Sequence, residues 1–521
     1  MPSDTRPNVL IFMTDQEQAD VMRPDHPART PNADRLAKEG VTFTSMYCPS
    51  PHCCPSRATL MTGVYPSIHG IFNNVSNPTA INTALRQPGG RPIPMWSEAM
   101  KEAGYRMQYS GKWHVSAEED PGDRGWEELL VTGQRRSRVE GVRDRERWLT
   151  MAPDAPSDAP RPRGLVRRPG WGDYTLYRTV PAQTPLGYDQ GNDWRVVSTG
   201  LGALEKLVKQ PSDQPWCLYV GPVGPHDPYG VPETFVKRYD PTQVELPVSF
   251  HDTMADKPRI YQRMRRQYWD QLSEDEHREA VAHYYAYCEM EDTYLGLLLD
   301  VLDSSGRRED TLVLRLSDHG DYAAAHSLYC KGVPSFREAY NVPCIVSGPG
   351  IANPGRTEDS FVSLADIHPT MLELVGAEQP ADTHVTGRSM LPFLRGERPE
   401  DWPDAFYSQL NGVELYYTQR IVQTKEWKYV YNGFDFDELY DLRADPHETT
   451  NLLAAEAGTP ASRMGNAEHR QVARDLVRKM WRFAERTNDQ VFNPYATVAM
   501  APWGPAEALR QPPVPPAKEQ E

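Results

Sequence analysis

The run Asn8-Val9-Leu10-Ile11-Phe12-Met13 near the start of the chain is apolar throughout and has the length of a buried β-strand. Thr30-Pro31-Asn32 comes next and is typical of a helix start, with Thr30 as the N-cap and Pro31 in the first helical position. Gly40 marks the predicted end of this helix. A buried strand that leads into a helix is the unit from which parallel sheets with helices on both faces are built.

The same alternation of strand and helix patterns continues through the first two thirds of the chain. Further strands are predicted at Tyr105–Tyr109, Trp216–Val220, Thr311–Leu316 and Val342–Ser347. Helices are predicted at Met95–Ala103, Thr199–Val208 and, as a long element, His277–Leu302. We therefore predict an α/β fold with a large mixed, mostly parallel sheet sandwiched by helices.

The pattern changes from about residue 385 onward, where short strand-like runs are joined by tight turns. These runs are Val413–Thr418, Arg420–Thr424 and Trp427–Asn432, and a helical pattern follows at His469–Glu485. We predict a catalytic α/β domain over residues 1–384 and a smaller C-terminal domain of antiparallel sheet plus helix over residues 385–500. The Pro-rich residues 501–521 are predicted to be a disordered tail.

The composition limits the classes of protein to which this chain can belong. It has 521 residues, with 56 Lys and Arg against 72 Asp and Glu, so the formal net charge is −16. This acidity argues against nucleic-acid binding, because nothing offsets the repulsion by phosphate. We find no run of roughly 18 to 20 apolar residues for a membrane span and no secretory signal. Seven scattered cysteines do not form a disulfide framework, so we expect a cytoplasmic protein.

Residues 134–190 interrupt the α/β pattern with an Arg- and Pro-rich insertion. Ten arginines and five acids lie within residues 135–168, which is a local charge of +5 in an acidic chain. The insertion is either solvated surface or a lid that faces the substrate, and in the second case its charge would attract an anionic ligand. The arginines of interest are Arg135, Arg136, Arg138, Arg161, Arg163, Arg167 and Arg168.

Polar side chains follow several predicted strands at the point where each strand ends. They are Asp15-Gln16, Lys112 with His114, His226, Asp318-His319, and Lys331 a short way beyond. In open α/β sheets the ligand site lies at the carboxyl ends of the strands, so these side chains are expected to converge. A lone Asp after a strand is more often a turn or cap residue, but five polar clusters together favour a site.

The most specific pattern in the chain is Cys53-Cys54-Pro55-Ser56-Arg57, which follows the run Tyr47–His52. The plain interpretation is a Pro-rich loop with two cysteines that enters a helix near Ser56. In the chemical interpretation Cys53 lies at a helix N-terminus, where the dipole and the free N–H groups favour an anion. Arg57, one turn further on, would reach back towards it.

These residues resemble the sulfatase family within the alkaline phosphatase superfamily. The run Cys53–Arg57 matches the C-x-P-S-R signature of that family, which identifies Cys53, and not Cys54, as the cysteine that is modified. The other matching stretches are Asp15, Gly63–Gly70, Gly111–His114, Pro225–Pro228, Asp318–Asp321 with Lys331, Glu438–Leu442, Asp445-Pro446 and Asn451-Leu452. The resemblance extends over nearly the whole chain, apart from the insertion and the tail, and implies an alkaline-phosphatase-like fold.

The resemblance implies that a formylglycine-generating enzyme oxidises Cys53 to formylglycine, whose hydrate acts with a divalent metal on a sulfate ester. The implied metal ligands are Asp15, Gln16, Cys53, Asp318 and His319. Asp15-Gln16 and Asp318-His319 depart from the Asp-Asp and Asp-Asn pairs of many sulfatases. Oxygen ligands favour Ca²⁺, which we predict, and the imidazole leaves Mn²⁺ as the alternative.

The resemblance also implies roles for the basic residues. Arg57 would hold the formylglycine, and Lys112 would bridge it to the sulfate. Lys331 and His226 would face the sulfate and the ester oxygen, and one of them would protonate the leaving alcohol. His114 would take the proton from the second hydroxyl of the hydrate, which expels sulfate. The implied substrate-binding residues are Lys112, His226, Lys331 and Asn74.

We expect a sulfuric ester hydrolase, and several alternatives stay open. The Asp-Gln and Asp-His pairs also resemble choline sulfatases and phosphonate monoester hydrolases, so a choline or aryl sulfatase and a phosphonate monoester or phosphodiester hydrolase are both alternatives. Phosphonate hydrolases tend to have uncharged hydroxylic residues where this chain has Lys112 and His114. An inactive binding protein of the same fold would be expected to lose at least one basic residue of the set. The Arg-rich insertion favours a sulfated carbohydrate, from a small molecule to an oligosaccharide, and nothing indicates the oligomeric state.

Overall fold

A computed structural model describes most of the chain, namely residues 6–74, 85, 92–116, 118–132, 160–168, 173–181, 193–209, 214–378, 385–412, 416–454, 466–493 and 503–506. The strands are β1 (Asn8–Thr14), β2 (Gly40–Phe43), β3 (Met46–Tyr47), β4 (Arg106–Lys112), β5 (Glu127–Thr132), β6 (Leu165–Val166), β7 (Tyr174–Thr175), β8 (Tyr177–Val180), β9 (Trp216–Gly221), β10 (Tyr229–Pro232), β11 (Thr311–Ser317), β12 (Cys344–Ser347), β13 (Arg356–Glu358), β14 (Val362–Ser363), β15 (Phe406–Gly412), β16 (Tyr416–Gln423), β17 (Trp427–Asn432) and β18 (Glu438–Asp441). The α-helices are α1 (Pro31–Lys38), α2 (Cys53–Thr62), α3 (Pro66–His69), α4 (Trp96–Glu102), α5 (Asp193–Leu207), α6 (Glu233–Val236), α7 (Arg259–Tyr268), α8 (Glu274–Ser305), α9 (Arg337–Tyr340), α10 (Ile367–Val375), α11 (Leu391–Leu394) and α12 (Ala467–Arg486).

The first predicted strand, β1, lies in the middle of an eight-stranded sheet of order β13-β2-β12-β11-β1-β9-β4-β5. It pairs in parallel with β11 on one side, where Asn8 lies opposite Thr311, and with β9 on the other. Strand β12 runs antiparallel between β11 and β2, so the sheet is mixed but mostly parallel. The predicted fold class is confirmed, and all seven residues of β1 are buried, as a central strand covered on both faces requires.

The start of α1 differs from the sequence-based expectation. Thr30 does precede the helix, but its side chain makes no capping hydrogen bond. The carboxylate of Asp292, from the distant helix α8, instead accepts from Asn32 N (2.9 Å) and Ala33 N (2.7 Å). Gly40 is the first residue of β2 and does not end the helix, because Glu39 is the C-cap. A long-range cap of this kind leaves no local sequence signal.

Helix α8 is longer at both ends than the predicted element. A capping box accounts for its start, because Ser273 Oγ accepts from Glu276 N (3.3 Å) and Glu276 Oε2 accepts from Ser273 N (2.9 Å). Gly306 ends it in the left-handed conformation at φ +71°. Although α8 has 32 residues, neither it nor any other helix in the described ranges has the length and apolar character that would let it cross a membrane.

A second sheet follows the first, with the predicted antiparallel arrangement and the order β15-β16-β17-β18. The predicted strands Val413–Thr418 and Arg420–Thr424 are wrong as separate elements, because β16 runs without a break from Tyr416 to Gln423, and residues 413–415 lie outside the described residues. Helix α12 packs on this sheet through Leu476, Val477 and Trp481. Most of the insertion and of the tail also lies outside the described residues.

The second sheet also supports the loop that leads into α2. Ser408 Oγ and Gln409 N, both on β15, donate to the carbonyl oxygen of Pro49 at 2.8 Å each. Arg420 on β16 forms a fully buried ion pair with Asp489 beyond α12, and Tyr407 Oη donates to the same carboxylate at 2.8 Å. The C-terminal part of the chain therefore holds the Cys53 loop in place from outside the large sheet.

A half-buried carboxyl group, Asp437, and a fully buried one, Glu438, are adjacent where β18 begins. Tyr429 Oη donates to Asp437 Oδ2 (2.5 Å), and Asn432 N donates to Asp437 Oδ1 (3.0 Å). Glu438 accepts from Tyr261 Oη at 2.7 Å. These donors do not compensate the loss of solvation, so burial raises the pKa of Asp437 to about 7.

We predict that the stability of the Asp437→Asn variant decreases less with rising pH than the stability of the natural chain does. A carboxyl whose pKa is higher in the folded than in the unfolded state stabilises the fold at low pH. This contribution falls by up to about 1.4 kcal/mol per pH unit between about pH 4 and 7. The melting temperature of the variant, compared with that of the natural chain, should therefore rise by about 2–3 °C between pH 5 and pH 8, given the length of the chain.

The exposed Asp475 on α12 provides the matched control, Asp475→Asn, for which we expect no such trend. If the melting temperatures of the Asp437→Asn variant and the natural chain differed by the same amount at both pH values, the burial argument would be contradicted.

Candidate active site

Three distant parts of the chain bring side chains with metal-ligand chemistry to the carboxyl edge of the central sheet. Asp15 follows β1, Asp318 and His319 follow β11, and Cys53 begins α2. Cys53 Sγ lies 3.2 Å from His319 Nε2 and 3.8 Å from Asp15 Oδ1. One donor atom from each of the four residues lies within 4.8 Å of the others, and all four residues are buried. Their donor types and spacing suit a single divalent cation.

His319 is oriented for this cluster by its own neighbour. Its Nδ1 lies 3.0 Å from the carbonyl oxygen of Gly320, to which it donates. This bond leaves Nε2 with the lone pair that faces Cys53 and the two carboxylates.

The adjacent residues Cys53 and Cys54 have different surroundings. Cys53 Sγ faces the cluster, and Lys112 Nζ lies 3.5 Å from it. Cys54 is fully buried in the main hydrophobic core, and its backbone N–H donates to Asn74 Oδ1 at 3.2 Å. The structure therefore places Asn74 at the first turn of α2, beside the site and bonded to the helix.

Arg57 lies one turn into α2, as predicted, and contacts both carboxylates of the cluster. Its Nε donates to Asp318 Oδ2 at 2.7 Å, and its Nη2 donates to Asp15 Oδ2 at 3.1 Å. Its Nη1 donates to the carbonyl oxygen of Lys112 at 2.8 Å. A guanidinium with three fixed partners orients both acids and offsets their charge.

Lys112 is a buried ammonium group between Asp15 and Cys53. Its Nζ donates to Asp15 Oδ2 at 2.5 Å. Burial opposes its charge, but Asp15 and Cys53 outweigh burial and raise the pKa of Lys112. Burial likewise opposes ionisation of the Cys53 thiol, yet Lys112, Lys331 and His319 hold its pKa well below the usual value. The surrounding cations therefore favour a negatively charged group at position 53.

His114 is buried beside Cys53 and adopts a positive φ of +49°. Burial and the neighbouring Lys112 ammonium lower the pKa of His114. The imidazole is thus neutral near neutral pH and able to accept a proton from a group at position 53.

His226 and Lys331 form a second basic pair at the more open side of the site. Lys331 Nζ lies 2.6 Å from His226 Nε2 and donates to it, while His226 Nδ1 donates to the carbonyl oxygen of Asp227 at 2.5 Å. Cys53, Asp227 and Asp15 outweigh burial and raise the pKa of Lys331, so it carries a positive charge. Both side chains are partly exposed, which suits contact with an incoming ligand.

Gln16 links the two halves of the site. Its backbone N–H donates to Asp318 Oδ1 at 3.1 Å, and its φ is +67°. Its Oε1 accepts from Lys331 Nζ at 2.6 Å. Its Nε2 donates to Asp227 Oδ1 (2.8 Å) and Asp321 Oδ2 (2.6 Å). Gln16 therefore contacts the cation cluster through its backbone and the basic pair through its carboxamide.

Sequence reasoning missed a polar network behind this pair. Asp321 accepts from Tyr229 Oη at 2.7 Å, and Asp227 accepts from Tyr174 Oη. Burial raises the pKa of Asp321 to about 6, and the charge of Asp227 adds to this. Both acids stand in the quoted stretches 225–228 and 318–321, but Tyr174 lies in the insertion, where no motif marks it.

The described arginines of the insertion have separate surroundings. Arg161 pairs with Glu276 at 2.5 Å, and Arg163 pairs with Glu279 at 2.6 Å. Arg168 lies over the ring of Tyr174, 5.1 Å from its centroid. Arg135, Arg136 and Arg138 lie outside the described residues. Ion pairs with α8 thus account for Arg161 and Arg163, whereas Arg168 contacts Tyr174, whose hydroxyl donates to Asp227.

Two family models match the chain. The model described as "Sulfatase" matches residues 7–377, and the model described as "N-sulphoglucosamine sulphohydrolase, C-terminal" matches residues 325–475. Among curated proteins, a choline-sulfatase of Rhizobium meliloti (strain 1021) is 29% identical over 472 residues, which cover 87% of this chain and 83% of that protein.

Solved structures share the fold at low sequence identity. A sulfatase structure from Bacteroides thetaiotaomicron superposes with a TM-score of 0.71 at 22% identity, covering 93% of this chain and 94% of that one. The phosphonate monoester hydrolase of Agrobacterium radiobacter superposes with a TM-score of 0.70 at 22% identity, covering 92% and 96%. At this identity the two likenesses concern the fold alone.

We predict that Ca²⁺ raises the melting temperature of the protein and that Asp318→Asn removes most of this increase. At a concentration one hundred times its dissociation constant, a bound ion stabilises the fold by about 2.7 kcal/mol. Mn²⁺ should raise the melting temperature no more than Ca²⁺ does. The measurement is thermal unfolding of each protein with and without the ion.

The control is Asp366→Asn, since Asp366 is a buried carboxyl outside the cluster that accepts from Ser363 N and Arg388 N. This variant should keep the full response to Ca²⁺. An unchanged response in Asp318→Asn would mean that the ion binds elsewhere, and a response to Mn²⁺ alone would show that His319 sets the metal preference.

Proposed function

The chain belongs to the sulfatase family of the alkaline phosphatase superfamily and is a sulfuric ester hydrolase, and from this premise we propose that a formylglycine made from Cys53 is its nucleophile. The Sulfatase model matches well over half of the chain. The observation that carries the proposal is the position of Cys53 Sγ between His319, Asp15 and Lys112 at the start of α2. The sulfur marks the place of the oxygen atoms that a formylglycine hydrate would present.

The proposed modification supplies chemistry that a cysteine lacks, namely one hydroxyl that attacks the ester and a second that leads to release of sulfate. A formylglycine-generating enzyme is the proposed partner for this maturation. Cys53 is fully buried in the folded chain, at 1% exposure. We therefore expect conversion before the chain has completed folding.

A divalent cation fits the cluster described above, and we propose Ca²⁺, with Mn²⁺ as the alternative. Asp15, Asp318, His319 and position 53 would hold it. Gln16 is the proposed further ligand, since a carbonyl oxygen that accepts from Lys331 keeps a second lone pair. When bound, the ion lowers the pKa of a coordinated hydroxyl and neutralises charge on the sulfate.

The basic residues around position 53 have distinct proposed roles. Lys112 contacts both Asp15 and Cys53, so a sulfate next to position 53 would meet its ammonium group. His114, held neutral by burial and by Lys112, accepts the proton that is lost when sulfate is released. Arg57 holds the two carboxylates and thereby keeps α2 in register with the sheet.

His226 and Lys331 are proposed to bind the sulfate and to protonate the leaving alcohol. Lys331 Nζ and His226 Nε2 lie 2.6 Å apart, so a sulfate ester bound here would meet both groups, and one of them donates the proton that the leaving alcohol takes up. Their partial exposure places the leaving alcohol on the open side of the site. Asn74 stays a proposed substrate-binding residue at the first turn of α2.

A phosphonate monoester or phosphodiester hydrolase is the second candidate, because the fold is shared with such an enzyme. Lys112 and His114 favour the sulfate ester, since both face position 53 where the phosphonate hydrolases tend to have uncharged hydroxylic residues. For the alcohol we propose a sulfated carbohydrate, with choline sulfate and aryl sulfates as alternatives. The cationic residues at the open side support an anionic substrate.

The experiment that tests the proposed function compares substrates on protein that carries formylglycine. We expect kcat/KM for 4-nitrophenyl sulfate or sulfated sugars to exceed that for a phenylphosphonate monoester by at least about tenfold. Lys112→Thr should reduce this preference, because it removes a charge that faces the sulfate. Faster turnover of the phosphonate ester would establish the second candidate instead.

We predict that Cys53→Ala abolishes turnover, whereas Cys54→Ala keeps a substantial fraction of it. The reason is that Cys53 faces the cluster while Cys54 packs in the core, where a smaller side chain costs about 1–2 kcal/mol of stability. After co-expression with the maturation enzyme, intact mass should show the loss of about 18 Da in the natural chain and in Cys54→Ala only.

The opposite result, an active Cys53→Ala and an inactive Cys54→Ala, would place the nucleophile at position 54. An inactive binding protein is a further alternative. It would be indicated if the natural chain showed neither the mass change nor bound metal.

A further inference from the structure

We propose that Asp193 is a positioning residue that fixes His226 beside the leaving oxygen of the sulfate ester, a role that rests on the proposed function. Asp193 is the first residue of α5, and its side chain is buried, at 1% exposure. It lies far from His226 in the sequence and outside every motif of the active site. Its carboxylate contacts the backbone that leads from β9 to His226.

The Asp193 carboxylate binds two successive backbone amides shortly before His226. Its Oδ1 accepts from Val223 N at 2.5 Å, and its Oδ2 accepts from Gly224 N at 3.2 Å. Tyr287 Oη, on α8, donates to the same Oδ2 at 2.7 Å. An ionised carboxylate is an acceptor only, and its hydrogen bonds to N–H and O–H groups are stronger than those between neutral groups. Asp193 therefore holds this backbone firmly.

The two amides belong to the turn that ends at His226, which we call the His226 turn (residues 223–226). The carbonyl oxygen of Val223 accepts from His226 N at 3.1 Å and closes the turn. The carbonyl oxygen of Gly224 accepts from Asp15 N, also at 3.1 Å. Gly224 is thus held at its N–H by Asp193 and at its carbonyl oxygen by a residue of the cation cluster. The distance between His226 and that cluster therefore depends on Asp193.

The His226 turn packs closely on α8. A Cβ atom at position 224 would overlap Tyr287 and Glu291, so this close approach requires glycine. The imidazole of His226 stays partly exposed on the other side, where its Nε2 lies 2.6 Å from Lys331 Nζ. The turn is therefore supported from its buried side, while its reactive group faces the open side of the site. Such support is what a group that must meet a leaving oxygen needs.

The position of His226 matters most for esters whose alcohol leaves poorly. A catalytic group that is misplaced by about 1 Å can lower the rate about 100-fold. An acidic phenol, such as 4-nitrophenol, leaves with little help from a proton donor, whereas a weakly acidic phenol needs a proton as its bond to sulfur breaks. Loss of the Asp193 contacts should therefore slow the esters of weakly acidic phenols most.

The test measures kcat/KM for a series of aryl sulfates, from 4-nitrophenyl sulfate to 4-methoxyphenyl sulfate, on protein that carries formylglycine. Asp193→Asn keeps the size of the side chain but replaces one acceptor oxygen with an NH₂ group that cannot accept from a backbone N–H. We expect kcat/KM to fall less than about threefold for 4-nitrophenyl sulfate and about 10- to 30-fold for 4-methoxyphenyl sulfate. Tyr287→Phe removes one donor and keeps the carboxylate, so it should show the same trend to a smaller extent. It decides the test if Asp193→Asn does not fold.

Asp292→Asn is the matched control. Asp292 is also a buried carboxyl that accepts from two successive backbone N–H groups, those of Asn32 and Ala33, but it does so at the start of α1. This variant should lose melting temperature as Asp193→Asn does. Its kcat/KM should show no dependence on the phenol beyond that of the natural chain.

A double variant shows whether Asp193 acts through His226. The kcat/KM of Asp193→Asn combined with His226→Ala should lie within about twofold of that of His226→Ala alone, because a misplaced side chain that is already absent costs nothing more. The proposal is overturned if the two losses multiply, if Asp193→Asn slows all aryl sulfates equally, or if Asp292→Asn shows the same trend. Full activity of His226→Ala, or no cleavage of any sulfate ester by the natural chain, would instead overturn the proposed function.

Discussion

The active site depends on the compensation of two carboxylates that the fold buries completely. Asp15 and Asp318 end neighbouring parallel strands and have no exposed surface, so their charges need partners inside the protein. Arg57 bonds to both of them, and Lys112 adds a second cation at Asp15. Because Arg57 lies one turn after Cys53 on α2, the contact that balances the charges also aligns the helix with the sheet. The interaction that balances the two charges also fixes the position of Cys53, the proposed nucleophile.

Buried charges are also compensated around the basic pair, His226 and Lys331. Asp227 and Asp321 lie behind Lys331, and the Gln16 carboxamide donates to both while accepting from the lysine. Burial and the charge of Asp227 raise the pKa of Asp321 to about 6. Gln16 therefore connects the cation cluster to the basic pair, because its backbone N–H donates to Asp318 while its carboxamide accepts from Lys331.

The second sheet and the insertion contact the active site from two different sides. The second sheet holds the carbonyl of Pro49, in the loop before Cys53, and keeps the start of α2 in place. Tyr174 of the insertion contacts the other side, where its hydroxyl donates to Asp227. In enzymes of this kind of architecture, substrate selectivity is commonly set by the loops around the site and not by the sheet that carries it.

The order of amino acids alone was enough for the α/β class, for the helix that begins at Cys53, and for the set of acids, bases and metal-ligand types. Those features are local: apolar runs mark strands, and reactive side chains follow them at fixed spacing. The cap on Asn32 by Asp292, the contacts of Gln16 and the approach of Tyr174 to Asp227 were not predictable. Each joins residues far apart in the chain, and such contacts leave no periodic signal. Arg161, Arg163 and Arg168 look alike in sequence, but their neighbours in the fold differ. Arg161 and Arg163 form ion pairs with glutamates of α8, whereas Arg168 lies over the ring of Tyr174.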